Sequence, residues 1–123
     1  MATFSKLALQ PAGTTGDGLG ILVVATATAG TAIHTASATA TTIDEVWLYA
    51  YNNHSADILL TIEFGGVTAP KDVIKQTVTT QDGLVLVCAG LVVQGNATAK
   101  VVRAFAATAS QISIFGYVNR ITA

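Results

Sequence analysis

Charge is what this 123-residue chain lacks most. Asp, Glu, Lys and Arg make up 11 % of it, against about 25 % in an ordinary soluble domain. The six basic residues (Lys6, Lys71, Lys75, Lys100, Arg103 and Arg120) are dispersed along the chain. Neutralising phosphates needs a clustered basic face, so direct binding of nucleic acid is not expected. The single cysteine, Cys88, excludes an intramolecular disulfide and any multi-cysteine zinc site. No apolar run reaches the roughly 20 residues of a membrane helix. A small transmembrane barrel fits poorly too, because its strands would consume the chain and aromatic girdles are missing. No charged n-region and apolar h-region open the chain, so a secretory leader is not expected.

What is present is apolar. Hydrophobic residues make up 51 % of the sequence, and its mean hydropathy is +0.57. With membrane spans set aside, a chain this poor in charge is expected to hide part of its surface against other molecules. One domain over residues 1–123 is the natural division at this length, with residues 1–20 as an extended N-terminal arm.

The hydrophobic pattern has period two. Residues 43–52 place Val46, Leu48 and Ala50 on one face and Trp47, Tyr49 and Tyr51 on the other, and Asn52-Asn53-His54-Ser55 supplies a turn. Residues 57–64 alternate Ile58, Leu60, Ile62 and Phe64 with Leu59, Thr61 and Glu63, before Gly65-Gly66 ends the run. Further strands are predicted over 4–9, 19–25 (as a buried strand), 31–36, 73–79, 83–87, 91–94, 99–106 and 111–121. Cys88-Ala89-Gly90 separates the two short strands at 83–87 and 91–94. The last strand is apolar on both faces, with Phe115, Tyr117 and Ile121 opposite Ile112, Ile114 and Val118, so it should be covered on both sides or sit at a subunit contact. Small Ala and Thr side chains over 26–42 permit close approach of another sheet or subunit. About eight or nine short antiparallel strands, with turn signals every 8–12 residues or so, predict a β-sandwich of jelly-roll type.

Chemistry-bearing residues are few. His54 reads as a turn residue, and His34 has no partner at metal-ligand spacing. Asp44 and Glu45 are adjacent, so on a strand they point to opposite faces and cannot act on one substrate. Asp57 and Glu63 have a spacing conceivable for a glycosidase pair, yet they read better as solvated or interface charges. Cys88 lies in an apolar run, as buried thiols do. Gly13, Gly16, Gly18 and Gly20 form no phosphate loop, because neither a Lys-Ser/Thr nor a helix follows. No catalytic, cofactor-binding or metal-ligating residue is therefore predicted. Trp47, Tyr49, Tyr51, Phe115 and Tyr117 are the candidate interface residues, since aromatics concentrate in cores and interfaces. An aromatic platform for a sugar is the alternative reading of Trp47, Tyr49 and Tyr51.

Four strings, Ile62-Glu63-Phe64-Gly65-Gly66, Gly83-Leu84-Val85-Leu86-Val87, Arg103-Ala104-Phe105-Ala106 and Gly116-Tyr117-Val118-Asn119-Arg120-Ile121, resemble the small capsid decoration (cement) proteins of tailed bacteriophages over residues 43–121. The resemblance implies a non-enzymatic virion protein on the outer capsid surface, made in the host cytoplasm. It implies a β-rich homotrimer that bridges capsomers of the major capsid protein. A tail, fibre or receptor-binding component is the alternative within the virion, although neither a fibre repeat nor a coiled coil is visible.

Overall fold

In a computed structural model, described for residues 2–13 and 16–123, the chain forms nine strands among the described residues and no helix. The strands are β1 (Thr3–Ala8), β2 (Ile21–Leu22), β3 (Thr31–Thr35), β4 (Thr42–Asn52), β5 (Ile58–Phe64), β6 (Val73–Val78), β7 (Val85–Gln94), β8 (Val101–Ala106) and β9 (Ile112–Thr122). One sheet runs β1-β9-β4-β7, with β2 on the remaining length of β9, and the other runs β3-β8-β5-β6.

These pairings nest. β5 pairs β6, β4 pairs β7, β3 pairs β8, and β1 and β2 share β9, all antiparallel. The contacts β4–β9 and β5–β8 join the nested pairs into two sheets. The chain is thus one long hairpin wrapped into a sandwich, the jelly-roll form of the double Greek key. The strand predicted over 4–9 is found at Thr3–Ala8, paired with β9.

Alternation along the strands decides what goes inside. Val46, Leu48 and Ala50 of β4, Ile58, Leu60 and Ile62 of β5, Val102, Ala104 and Ala106 of β8, and Ile112, Ile114 and Val118 of β9 form the buried core. Each large aliphatic side chain there contributes roughly 1.5–3 kcal/mol by leaving water. The accessible surface of the chain is 6225 Å², close to the roughly 6,200 Å² expected of a folded protein of its mass. Its apolar excess therefore resides in the kind of surface exposed and not in an unfurled shape.

Two strand expectations change. The run over 19–25 is not a buried strand. Only Ile21–Leu22 pair with β9, and Leu19, Leu22 and Val24 face solvent while Val23 enters the core. Val23 continues the pairing irregularly, donating to the Ile112 carbonyl and accepting from Ser110 N–H. The two strands expected at 83–87 and 91–94 are one strand, because register shifts opposite Val46/Trp47 and Leu48/Tyr49 absorb the Cys88-Ala89-Gly90 segment. Gly90 sits there at φ +74°, where other residues are strained. The last strand, expected to be covered on both sides or to sit at a subunit contact, is buried within the single chain on its inner face only. Phe115 remains 36 % exposed on the outer one.

Of the glycines read as a turn, Gly13 and Gly18 have φ of +75° and +78°. Residues 14 and 15 of that segment lie outside the described residues.

Candidate interaction face

The ionisable groups inside the sandwich are consumed by structure. Asp44 is 1 % exposed on the inner side of β4. Arg120 from β9 donates Nε–H to its Oδ1 at 2.7 Å and Nη2–H to its Oδ2 at 2.8 Å. His34, wholly buried on β3, lies 2.7 Å from Asp44 Oδ2 through Nε2. Gln10 N–H donates to His34 Nδ1 at 3.1 Å, so Nδ1 is the acceptor and the imidazole proton sits on Nε2, facing Asp44. Burial opposes the charge on Asp44, but the hydrogen bonds from Arg120 and His34 outweigh it and hold its carboxyl at about 2. The chain of bonds ties both sheets to the segment following β1. His34 therefore has a hydrogen-bonding partner, brought from β4 of the facing sheet by the fold and not by sequence spacing.

Glu63 corrects the expectation of a solvated or interface charge. It points outward from β5 yet is 1 % exposed, because the loop over 26–30 folds across it. Gly30 N–H donates to Oε1 at 2.7 Å, and the Thr28 hydroxyl donates to Oε2. Arg103, its cross-strand neighbour, donates to the Gly30 carbonyl at 3.3 Å. The small residues of this segment do permit close approach: a Cβ on Gly30 would lie 2.5 Å from the Ala104 carbonyl oxygen. Asp57 stands at the other end of β5, where it accepts from Thr80 N–H, so it forms no pair with Glu63. His54 occupies the turn, its N–H bonded to the Asn52 side chain at 2.8 Å. Cys88 is buried, with Sγ 3.4 Å from the Val46 carbonyl oxygen, and burial pushes its thiol pKa up. Among the described residues, no three His, Cys, Asp or Glu side chains converge as metal ligands would.

The five predicted interface residues fall on the outer face of the five-stranded sheet. Register places Trp47 opposite Tyr117 and Tyr49 opposite Phe115. The Trp47 and Tyr117 rings are within 10° of parallel, with centroids 6.1 Å apart. Trp47 lies over Gly90, whose added Cβ would come 3.0 Å from the indole. Phe115 lies similarly against Gly20.

Cross-strand rows extend this patch in both directions. Lys6, Asn119, Glu45 and Val92 form one row across β1, β9, β4 and β7, and Phe4, Ile121, Ile43 and Gln94 form the next. Tyr49 is flanked by Leu86, and Leu22 and Tyr51 flank Ser113. Phe4, Leu22, Leu86, Val92 and Phe115 are 36–74 % exposed. Among the described residues, Lys6 and Glu45 are the only charges at outward positions of these strands.

Both charges are held in place. Lys6 Nζ sits 4.8 Å from the centroid of the Tyr117 ring, a cation–π contact. Glu45 Oε1 accepts from Trp47 Nε1–H at 2.7 Å and from Asn119 Nδ2–H at 3.1 Å, and these bonds, that from Trp47 first, hold its carboxyl below its ordinary value. Neither bond reaches Oε2. Asp44 and Glu45 thus point to opposite faces with unrelated roles. Lys6, Glu45, Asn119, Leu86 and Val92 escape a reading of strands taken singly; only the cross-strand register assembles them.

No protein-family model matches this chain, and no curated protein or solved structure matches it.

Proposed function

We propose that this protein is a non-enzymatic virion structural subunit that decorates a tailed-bacteriophage capsid and stabilises it by bridging neighbouring copies of the major capsid protein. The observation that carries the reading is the bare aromatic and aliphatic face of the five-stranded sheet, which a subunit living inside an assembly covers and an isolated one leaves wet. Two further features agree with it. The buried ionisable side chains Asp44, His34 and Glu63, with the partly buried Arg120, are tied up in hydrogen bonds between strands and loops, which suits a rigid building block. The strand order is that of jelly rolls, a fold used by viral capsid domains and also by lectins, so it agrees with the reading without selecting it.

The mechanism is mechanical. Each clip buries apolar surface across a capsomer boundary, and repetition over the shell multiplies a modest contact into resistance to internal pressure. Cryo-electron microscopy of the particle that carries this chain tests it. The expected result is density of this jelly roll on the outer shell between capsomers; density confined to the tail would replace the reading with a tail or receptor-binding role.

A sugar-binding role is the second reading, favoured by the near-parallel Trp47 and Tyr117 rings beside the polar row Lys6, Asn119 and Glu45. A glycan array with the wild type and Trp47→Ala distinguishes it, since only that reading expects binding that Trp47→Ala abolishes.

A further inference from the structure

We infer that the outer face of the five-stranded sheet is covered by a second copy of this chain, the two sheets packing face to face about a two-fold axis that runs along β9. This concerns how the subunit associates with itself: it gives the face on which the capsid reading rests to a second copy, so in that reading the pair is the unit that enters the assembly and other surfaces meet the capsid protein.

Size is the first argument. Phe4, Leu22, Leu86, Val92 and Phe115 alone expose roughly 450 Å² of apolar surface, at about 150–250 Å² per large side chain. The partly exposed rings of Trp47, Tyr49, Tyr51 and Tyr117 and the side chains of Ile43 and Ile121 add to it. The whole approaches the roughly 800 Å² that each partner gives to a standard interface. It exceeds what a monomer ordinarily leaves wet. A sugar would cover only a few of these side chains.

Charge selects the occupant. A face made for a strongly charged partner carries charge of the opposite sign, and this face carries one of each. Lys6 and Glu45 lie in one cross-strand row on either side of Asn119, which is on β9. A two-fold axis along β9 therefore sets Lys6 of each copy over Glu45 of the other, and Asn119 over its own counterpart. Two opposite-sign contacts form at once. The free Oε2 of Glu45 is the acceptor, because Trp47 and Asn119 both occupy Oε1. Face-to-face sheets with near-aligned strands are an ordinary packing mode. A face paired with itself associates chains two by two, in place of the trimer that the resemblance implies.

The test uses the full chain, with mass measured by sedimentation equilibrium and folding checked by circular dichroism. The wild type is expected to be dimeric at micromolar concentration. Phe115→Asp and Leu86→Lys should remain folded and dissociate on the order of 30-fold more readily or beyond. Lys6→Glu and Glu45→Lys should each weaken the dimer by about tenfold, since each sets like charges against each other twice. Mixing the two charge variants should restore association. In the mixed dimer one chain carries carboxylates at both positions and the other carries ammonium groups at both, so opposite signs meet at each contact. A monomeric wild type overturns the inference. So does a trimer, or a dimer indifferent to Phe115→Asp and Leu86→Lys when both are folded. Charge variants that stay apart when mixed overturn the two-fold register. The capsid reading fails separately, on the particle.

Discussion

Lowering the pH should remove a defined part of this protein's stability, and Asp44 is the place to look. Folding takes the Asp44 carboxyl from its ordinary 3.8 to about 2: burial alone would raise it, and the hydrogen bonds from Arg120 and His34 reverse that. A tenfold change in acidity corresponds to about 1.36 kcal/mol, so ionised Asp44 contributes about 2 kcal/mol of stability near neutral pH. Because the folded value is the lower one, the unfolded chain binds the proton first. The contribution is complete above pH 5 or so, about half of it is gone by pH 3, and it vanishes below about 2. Urea unfolding followed by the fluorescence of Trp47, at fixed protein concentration from pH 7 down to 2, measures the loss. Glu45 and Asp72 are also held below their ordinary values and bend the profile in the same direction, so the wild type alone does not isolate Asp44. Asp44→Asn does. It should cost about 3 kcal/mol at pH 7 by leaving Arg120 unpaired, and the gap to the wild type should narrow by about 2 kcal/mol between pH 5 and 2. A gap that stays constant across that range would refute the assignment of the ionised Asp44 to the Arg120 and His34 bonds.

Other perturbations probe the remaining features. Glu63→Ala should cost about 2–3 kcal/mol, since Gly30 N–H and the Thr28 hydroxyl lose a charged acceptor; limited proteolysis should then cut within 26–30 faster than in the wild type, and unchanged cleavage would count against the loop's anchorage by Glu63. Gly116→Ala would set a Cβ 2.0 Å from the Trp47 carbonyl oxygen, so β4 and β9 must separate at their centre; a drop in stability on the order of 3 kcal/mol is expected in thermal unfolding. The Cys88 thiol, buried and shifted upward by that burial, should react with a thiol-exchange reagent at least about 100-fold more slowly in the folded chain than in urea. Rapid labelling of the native protein would contradict its place in the core.

The parts legible from sequence are those that one strand carries by itself. In β4, strict alternation separates Val46, Leu48 and Ala50 from Trp47, Tyr49 and Tyr51, and the sheet obeys it along all eleven residues. Trp47, Tyr49, Tyr51, Phe115 and Tyr117 converge because neighbouring antiparallel strands in register carry their outward positions side by side. Single-strand reading fails where distant segments decide burial. Period two correctly puts Glu63 on the outer side of β5, but a loop 33 residues earlier covers it, and nothing near Glu63 announces that. His34, Asp44 and Arg120 come from β3, β4 and β9, so no spacing motif relates them. The apolar run over 19–25 reads as buried because it is continuous, yet at the end of the sheet only alternate residues of it find the core. Cys88-Ala89-Gly90 reads as a break because a bulged strand and two short strands share the same pattern; only the partner β4 distinguishes them.

The few charges of the chain are unevenly placed. Outward positions of the four-stranded sheet carry Glu63, Lys75 and Arg103, and there the loop over 26–30 supplies a cover of the chain's own. Among the described residues, the outward positions of the five-stranded sheet hold only Lys6 and Glu45 as charges, among aromatic and aliphatic neighbours that stay partly or largely exposed. Nested pairing explains why this face is continuous. The strands β1, β9, β4 and β7 come from the start, end and middle of the chain, and their apolar outward residues join only when the long hairpin wraps. A sequence selected merely to fold needs the inner alternation alone, since outward polar residues would serve the core equally well. Keeping Tyr49, Phe115, Leu86 and Val92 outward, in register with one another, gives the sheet cross-strand packing of its own, and on the self-association we propose the same residues meet a second copy.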